Sequence, residues 1–401
     1  MFKMIRVVLL LVESVWAIFV GYLLVLTGAA VRAPRRTRPV DAAPRTRFAI
    51  LVPAHNEENL IASTLENLNA LDYPRALYAV HVVADNCNDH TAQIARAAGA
   101  IVHERFDDVE RGKGYALQWL LRRLWDAHYT SDALVILDAD SIVSENFLRV
   151  MATRLTRGER VIQAYYAVRE PGRAWSISLR YAALAVLHHL RPQARMVLGG
   201  SAGLKGNGMV FAADVLRQHE WSASVTEDIE FHMALIFAGE RVMFAPDAIV
   251  WAEMPGTLAG ARTQNIRWER GRVEMLKRYV PPLLRDAATQ KSFRHFDAAM
   301  EHLIPQFSIL AGVSALCLIA EMIVWRARKS RQPGFGFWLA GANALGQIFY
   351  LLAGLKLARA PRQAYRALLY APAFVIWKIW LYARVVLGLD KQGWVRTDRN
   401  T

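Results

Sequence analysis

Four long apolar stretches are the feature that most limits the folds open to this 401-residue chain. They lie near its two ends, at residues 7–30, 303–325, 335–355 and 364–387. Each is long enough to cross the roughly 30 Å hydrocarbon core of a bilayer as an α-helix. The first is longer than the ~7–15 apolar residues of a cleaved signal peptide, and it lacks an obvious small-residue cleavage site. We therefore predict a retained anchor at the amino terminus and a membrane region at the carboxyl terminus.

Basic residues beside the apolar stretches account for the net charge of +14. They are concentrated at 31–47, 326–331 and 359–366. Such placement suits lipid head groups and the positive-inside bias, and no basic groove interleaved with aromatic residues indicates nucleic-acid binding. With only Cys87 and Cys317 present, we expect no structural disulfide. The expected partner is therefore the bilayer, not nucleic acid, with the central domain on the cytosolic side of the inner or plasma membrane.

Between the basic linker and the second apolar stretch, short apolar runs alternate with segments of helical spacing. The sequence predicts strands at 47–52, 79–84, 101–102, the run ending at 137, 161–168 and 208–211. It predicts helices at 57–71, 91–98, 114–129, 176–190 and 230–237. Strands that alternate with helices indicate a parallel, doubly wound α/β sheet.

The predicted organisation has six parts. They are an anchor at 1–30, a basic linker at 31–47, a cytosolic α/β domain at 48–278, interfacial helices at 279–302, a membrane region at 303–388 and a basic tail at 389–401.

Two carboxylates, Asp138 and Asp140, come directly after a buried apolar run. Open α/β sheets bind their ligands at the carboxyl ends of their strands. A pair of carboxylates there suits a hard divalent ion that substrate phosphates also hold. Solvated loops often contain the same pattern, so the pair indicates a site only together with other motifs.

Four further motifs occur in a fixed order around this pair. They are Pro53-Ala54-His55-Asn56-Glu57 with Asp85, then Lys113, Thr226-Glu227-Asp228, and Gln264-Asn265-Ile266-Arg267-Trp268. Each alone has a plain structural explanation. Asp85 can be a turn residue, Lys113 a solvated lysine, Asp228 a first-turn acid in a helix capped by Thr226, and Trp268 an interfacial anchor.

Taken together, these motifs resemble the membrane-embedded family-2 glycosyltransferases of the GT-A fold. That group includes cellulose, chitin and hyaluronan synthases and ceramide glucosyltransferases, and the resemblance covers roughly residues 47–279. It implies a GT-A type, mostly parallel doubly wound sheet, with transmembrane helices at both ends. It also implies an inverting transfer from a UDP-sugar that requires Mg²⁺ or Mn²⁺.

The resemblance assigns roles that the chemistry of each side chain supports. Donor-binding residues would be Pro53, Glu57, Asp85, Lys113, Asp138, Asp140, Gln264 and Arg267, with Asp140 and Asp138 as metal ligands. Acceptor-binding residues would be Gly206, Asn207 and Trp268. Asp228 would be the general base, because a carboxylate can take the proton of the attacking hydroxyl, and Glu227 would support it. Arg267 would pair with the departing diphosphate, and Trp268 would stack on a sugar ring.

The expected product is a β-linked polysaccharide exported as it is made. The alternative is one transfer to a lipid acceptor of the ceramide or diacylglycerol kind, because four apolar stretches are few for a polymer channel. A remote alternative, a nucleotide-binding transporter, should place paired ionisable groups inside its spans, and Glu13 and Lys378 have no evident partners in the sequence. The tail at 394–399 resembles a loop that closes over the donor. It can reach a cytosolic site only if one carboxyl-terminal stretch does not cross, as we expect.

Overall fold

The structure is a computed structural model. It describes residues 2–33, 43–224, 226–254, 258–329 and 331–387. The side chains of residues 2–3, 258–265, 267–268 and 385–386 are not described.

The described residues form eight strands and a series of helices. The strands are β1 Phe48–Ala54, β2 Tyr78–Asp85, β3 Ile101–Arg105, β4 Ala133–Ile136, β5 Ile142–Val143, β6 Val161–Val168, β7 Met209–Ala212 and β8 Val242–Ala252. The helices are α1 Phe2–Arg32, α2 Ile61–Asn69, α3 Thr91–Ala97, α4 Lys113–Asp126, α5 Phe147–Leu155, α6 Trp175–Ala185, α7 Arg191–Leu198, α8 Ala213–Gln218, α9 Glu227–Phe237, α10 Leu258–Thr289, α11 Phe293–Leu303, α12 Phe307–Ala327, α13 Phe335–Leu357, α14 Arg362–Ala367 and α15 Ala371–Val386. Short 3₁₀ turns lie at Arg75–Leu77 and Leu368–Tyr370, and a π-helical turn at Val186–Leu190 joins α6 to α7.

All eight strands belong to one mixed, mostly parallel sheet in the order β3-β2-β1-β4-β7-β6-β8-β5. Strand β1 pairs in parallel with β2 and β4, β2 pairs in parallel with β3, and β6 pairs in parallel with β8. Strand β7 is antiparallel to both β4 and β6. The predicted GT-A type sheet is confirmed. The carboxyl ends of β1, β2 and β4 lie at one edge, because parallel strands share their direction.

The sheet is covered on both faces, which explains the continuous apolar runs of its strands. On β1, Phe48, Ile50 and Val52 pack into a core with helices α2, α3 and α5. The intervening Ala49 and Leu51 pack into a second core with α4 and α9. The helical spacing of residues 114–129 predicts that four leucines share one face of α4. All four are buried there, namely Leu117, Leu120, Leu121 and Leu124.

Three of the four apolar stretches form helices that are long and apolar enough to span a membrane, namely α1, α12 and α13. The fourth stretch is broken into α14, a 3₁₀ turn and α15. Helix α15 has 16 residues, which gives it a length of about 24 Å. That is shorter than the roughly 30 Å hydrocarbon core, and the expectation that one segment does not cross stays a prediction. Lys378, without an evident partner in the sequence, lies 3.2 Å from Glu269 of α10.

A buried ionic network joins the sheet domain to the helices that follow it. Arg195 of α7 lies 3.0 Å from Asp297 and 2.5 Å from Glu301 of α11. Arg191 lies 3.1 Å from the same Glu301 and donates a hydrogen bond to the hydroxyl of Tyr350 on α13 at 2.8 Å. Both arginines are 2% exposed, so α7 connects the α/β domain to α11 and α13 through buried charges.

Candidate active site

A cavity of about 1550 Å³ opens at the carboxyl edge of the parallel strands. Nine residues that the sequence predicts for the site contribute to its wall: Pro53, Glu57, Asp85, Lys113, Asp138, Asp140, Gly206, Glu227 and Asp228. The fold therefore brings together side chains that lie far apart in the sequence.

Asp85 ends strand β2 and is held in place by an arginine that sequence reasoning did not single out. The Arg105 guanidinium on the neighbouring β3 donates from Nη1 to Asp85 Oδ1 at 2.7 Å, and both side chains are buried. His55 Nδ1 donates to the backbone carbonyl of Asp85 at 2.7 Å. Asn56 and Asn86, just beyond the two strands, have φ angles of 54° and 52°. Asparagine tolerates this left-handed conformation, so the chain turns sharply at both strand tips.

The turn that contains Asp138 and Asp140 is fixed from behind by Asn207. Asn207 is fully buried. Its Oδ1 accepts from the backbone N–H of Asp138 at 3.2 Å, and its Nδ2 donates to Ser141 Oγ at 2.7 Å. The Asn207 amide is thus used inside the wall, and direct contact of Asn207 with the acceptor stays a prediction. Asn207 is placed to position the carboxylate turn.

Lys113 is the first residue of α4 and links two walls of the cavity. Its Nζ lies 2.5 Å from Asp138 Oδ1 and also donates to the backbone carbonyl of Gly206. Gly206 has a φ of 76°, and a Cβ added there would lie 3.4 Å from Asp228 Oδ2 and 3.9 Å from Lys113 Nζ. The backbone at Gly206 therefore separates the predicted general base from the predicted diphosphate-binding lysine by only a few ångströms.

Glu227 and Asp228 are the first two residues of α9. Thr226 is at the N-cap position, but its side chain makes no capping hydrogen bond, so the predicted cap is wrong in this detail. The Thr226 methyl group instead packs directly against Gly271 of α10. Helices α9 and α10 thus approach each other closely near Glu227 and Asp228, which line the cavity.

Burial sets the protonation of the acidic pair. It raises the pKa of Glu227 to about 7, although the Lys113 charge opposes the shift and Asp228 adds to it. Burial also raises the pKa of Asp228, while Lys113 and the backbone N–H of Ile229 act against this. For Lys113, burial disfavours the charged form, but Asp138 and Glu227 raise its pKa overall. A carboxylate with a raised pKa is a better proton acceptor near neutral pH.

The oxygen ligands that the protein offers fit a divalent metal only if a substrate supplies further ligands. No cluster of three or more His, Cys, Asp or Glu side chains able to hold a metal occurs in the described part of the chain. Asp138 and Asp140 both line the cavity, and Mg²⁺ is commonly bound by one or two carboxylates plus substrate phosphates. These two residues therefore fit an ion shared with a diphosphate.

The side chains of Gln264, Arg267 and Trp268 lie outside the described residues, so their predicted roles stay predictions. Their helix, α10, does reach the site, because Ile266 and Arg270 of the same helix line the cavity. The predicted gating tail at 389–401 also lies outside the described residues.

The cavity continues from the acidic cluster to the membrane helices. Phe307 and Ala311 of α12, Leu351 of α13, and Phe374 and Val375 of α15 form part of its wall. One continuous space therefore has a charged end at the sheet and an apolar end beside two candidate spans.

An acidic cavity at the carboxyl edge of a mostly parallel sheet is where a nucleotide and a divalent metal can bind in α/β folds. Residues 44–271 match the family described as glycosyltransferase like family 2. The match covers more than half of the chain, which belongs to this family.

Two curated relatives and one solved structure illustrate the similarity. The chain is 23% identical over 248 residues to the probable glycosyltransferase YdaM of Bacillus subtilis, covering 58% of this chain and 57% of YdaM. It is 26% identical over 239 residues to the poly-β-1,6-N-acetyl-D-glucosamine synthase of Staphylococcus aureus, covering 58% of this chain and 56% of the synthase. The chain thus spans just over half the length of these relatives.

The solved structure is the mannosyltransferase PcManGT from Pyrobaculum calidifontis in complex with GDP-Man and Mn²⁺. It aligns over 89% of this chain and 99% of its own, with a TM-score of 0.53 and 18% sequence identity. At this identity the likeness concerns the fold.

Proposed function

We propose that this protein is a membrane-integrated, inverting glycosyltransferase that transfers a sugar from a UDP-sugar to a hydroxyl group and builds a β-linked glycan. The observation that carries the proposal is the position of Gly206, with Asp228 Oδ2 and Lys113 Nζ within 4 Å of its Cβ position. A base for the acceptor and a cation for the diphosphate thus lie close together beside one backbone segment. An acceptor hydroxyl and a departing diphosphate could therefore be held around one anomeric carbon, as displacement there requires.

On the donor side, Asp85, held by Arg105, would accept hydrogen bonds from the uridine, with Pro53 and Glu57 beside it. Lys113 would neutralise the diphosphate as a point charge. Asp140 and Asp138 would hold Mg²⁺ or Mn²⁺, which would offset the charge that develops on the diphosphate as it leaves.

On the acceptor side, Asp228 would accept the proton of the attacking hydroxyl. The acceptor oxygen would then form a bond to the anomeric carbon while the bond from that carbon to the diphosphate oxygen breaks. Displacement from the opposite face inverts the configuration. Glu227 would tune the ionisation of Asp228, and Arg267 and Trp268 keep the roles predicted from their motif.

A polymer product is supported by the relative named as a poly-β-1,6-N-acetyl-D-glucosamine synthase. A single transfer to a lipid acceptor is the second candidate. It is favoured by the apolar end of the cavity, where Phe307, Leu351 and Phe374 line the wall. In either case we propose that α1, α12 and α13 cross the bilayer and that the catalytic domain faces the cytosol.

The test is product analysis with the purified full-length protein in lipid nanodiscs with Mn²⁺. UDP-glucose, UDP-N-acetylglucosamine and GDP-mannose would be supplied in parallel, followed by measurement of nucleotide release and product mass. We expect release of UDP from one UDP-sugar. A ladder of masses would identify a polymerase, and a single mass step on a lipid would identify single transfer. Release from GDP-mannose alone would contradict the UDP-sugar assignment.

Asp228→Asn provides the matched test of the base. We expect transfer to fall by about 10²–10⁴-fold, the usual contribution of general-base catalysis, while UDP affinity measured by calorimetry stays close to that of the wild type. Asp126→Asn, an exposed acid on α4, controls for the loss of one negative charge. Transfer by Asp228→Asn above a tenth of the wild-type rate would remove Asp228 from the mechanism.

A further inference from the structure

Arg180, on α6, is a buried cation that the proposed reaction does not use. Its side chain lines the cavity, yet the residue is only 8% exposed. Its Nη1 and Nη2 atoms are shielded from solvent and form no hydrogen bond within the described part of the chain. Burial lowers the pKa of Arg180 to about 10, so the guanidinium remains charged at neutral pH. An uncompensated buried charge destabilises a fold, and its presence on a cavity wall therefore indicates a ligand.

Three other cations along the same wall have acidic partners. Arg191 pairs with Glu301, and Lys113 pairs with Asp138. Lys378 of α15 pairs with Glu269, and its electrostatic neighbours include Arg180. Arg180 therefore lies near α15, with its two terminal nitrogen atoms unsatisfied by the described residues.

The surroundings of Arg180 define an amphiphilic ligand. Leu184 and Leu187, one and two turns further along the same helical segment, line the cavity, as do Phe307 of α12 and Phe374 of α15. Because these walls are apolar and belong to helices next to the candidate spans, they suit a hydrocarbon chain. A guanidinium with two free N–H groups suits bidentate pairing with a phosphate.

We propose that Arg180 binds the phosphate group of a lipid whose apolar chain lies along α12 and α15, in the same cavity that holds the sugar donor. This inference rests on the proposed function in one respect, namely that the sugar donor binds in the same cavity. The phosphate can belong to a lipid acceptor or to a membrane phospholipid, which share this chemistry.

The experiment measures equilibrium binding to the full-length protein in a neutral detergent. The probes are farnesyl phosphate, farnesol and inorganic phosphate, which separate the chain from the anion. We expect the wild type to bind farnesyl phosphate more tightly than either other probe. Arg180→Gln should weaken farnesyl phosphate binding by about tenfold or more, the range of a charge-assisted hydrogen bond, and should leave farnesol binding unchanged. Arg180→Lys should retain part of the affinity, because it keeps the charge but not the fork.

Arg173→Gln is the matched control. Arg173 also lines the cavity but is exposed, so its loss changes the overall charge equally without removing a buried partner. Equal weakening by Arg173→Gln and Arg180→Gln would overturn the proposal, as would equal affinity of the wild type for farnesyl phosphate and farnesol.

Competition with dioctanoyl phosphatidylglycerol distinguishes the two sources. Equal competition would assign the subsite to membrane phospholipid, and weak competition would assign it to a lipid phosphate acceptor. Both outcomes support a phosphate subsite.

Thermal unfolding of the same variants separates a ligand subsite from a structural role. We expect Arg180→Gln to unfold at or above the wild-type temperature, because it removes an unpaired buried charge. A large decrease would indicate a structural role and overturn the proposal. Binding of UDP with Mn²⁺ is measured on the same samples. If the wild type binds UDP but does not prefer farnesyl phosphate to farnesol, only the phosphate subsite is contradicted. If the wild type does not bind UDP, the proposed function is contradicted.

Discussion

At the scale of single residues, Gly206 lets two charged groups, Asp228 and Lys113, lie close to one backbone segment. Its φ of 76° is a left-handed conformation that glycine adopts freely and other residues adopt at a cost of roughly 1–2 kcal/mol. A side chain at position 206 would also contact the Asp228 carboxylate. The backbone cost and the steric effect on the base can be separated by comparison with a second glycine.

We expect Gly206→Ala to reduce transfer, because the new methyl group would lie in van der Waals contact with Asp228 and Lys113 and occupy space beside the base that the substrate needs. Gly158→Ala is the matched control, since Gly158 has a φ of 86° and nothing within 4 Å of its Cβ position. Both variants carry a similar backbone cost, so thermal unfolding should change by a similar amount in each. Only Gly206→Ala should lose activity, measured as UDP release per folded protein, and equal activity of the two variants would contradict the proposed crowding of the base.

Glu227 gives the site a pH dependence. Burial raises the pKa of Glu227 to about 7 and also raises the pKa of Asp228, the proposed base, which acts only when it is ionised. We therefore expect kcat/KM, which reports the free enzyme, to increase as the pH rises and both carboxyl groups lose their protons, with the Glu227 step near pH 7. Glu227→Gln removes the group with this pKa and one negative neighbour of Asp228, so the midpoint should move to lower pH. An unchanged pH profile of Glu227→Gln would assign the acid limb to another group.

At the scale of secondary-structure elements, the packing of α10 against α9 depends on a small residue. The Thr226 methyl group occupies the place of a side chain at Gly271. We expect Gly271→Ala to lower both transfer and thermal stability. The double variant Gly271→Ala with Thr226→Ser should recover part of both, because serine lacks the clashing methyl group. Strict additivity of the two single changes would contradict direct contact, since contacting residues are coupled.

The elements that the sequence predicted well are those with an uninterrupted pattern. Strand β6 has the predicted bounds, and α4 buries the predicted leucines, because one period runs through each segment. Strand β8 was missed because Pro246 and Asp247 interrupt its apolar run. The ladder absorbs them in a bulge, where Tyr165 pairs with Ile249 directly after Ala164 pairs with Ala245.

Other features depend on contacts that sequence spacing does not contain. The predicted boundary between 278 and 279 falls inside α10, which continues through Pro281 and Pro282, although proline interrupts helix hydrogen bonding. Arg105 carries no motif of its own, and its role follows only from pairing with Asp85 in the folded sheet. Asn207 was predicted to bind the acceptor, and only the structure shows its hydrogen bond to the backbone of Asp138. The order of acidic motifs indicated the site, but the residues that position those acids required the structure.

At the scale of the whole molecule, the α/β domain and the candidate membrane helices are joined through α7 and α11. Arg191, Arg195 and Asp297 in this joint are buried, and Glu301 is 23% exposed, unlike the exposed ion pairs on the surface of the sheet domain. Removing one member of a buried pair leaves the other charge without its partner, which is far costlier than the same loss at the surface.

We expect Asp297→Ala to destabilise the protein by up to about 3–5 kcal/mol, the range for breaking a buried ion pair, with Glu301 retaining part of the compensation for Arg195. Asp72→Ala is the matched control, because Asp72 and Arg149 form an exposed pair at 2.6 Å whose loss should cost at most about 1 kcal/mol. Thermal unfolding in detergent measures both. Adding Arg195→Met to Asp297→Ala should restore part of the stability, since no buried cation then lacks its partner. If Asp297→Ala lowers the stability no more than Asp72→Ala does, apolar packing around α7 holds the joint together. The ionic network would then only orient α7 relative to α11.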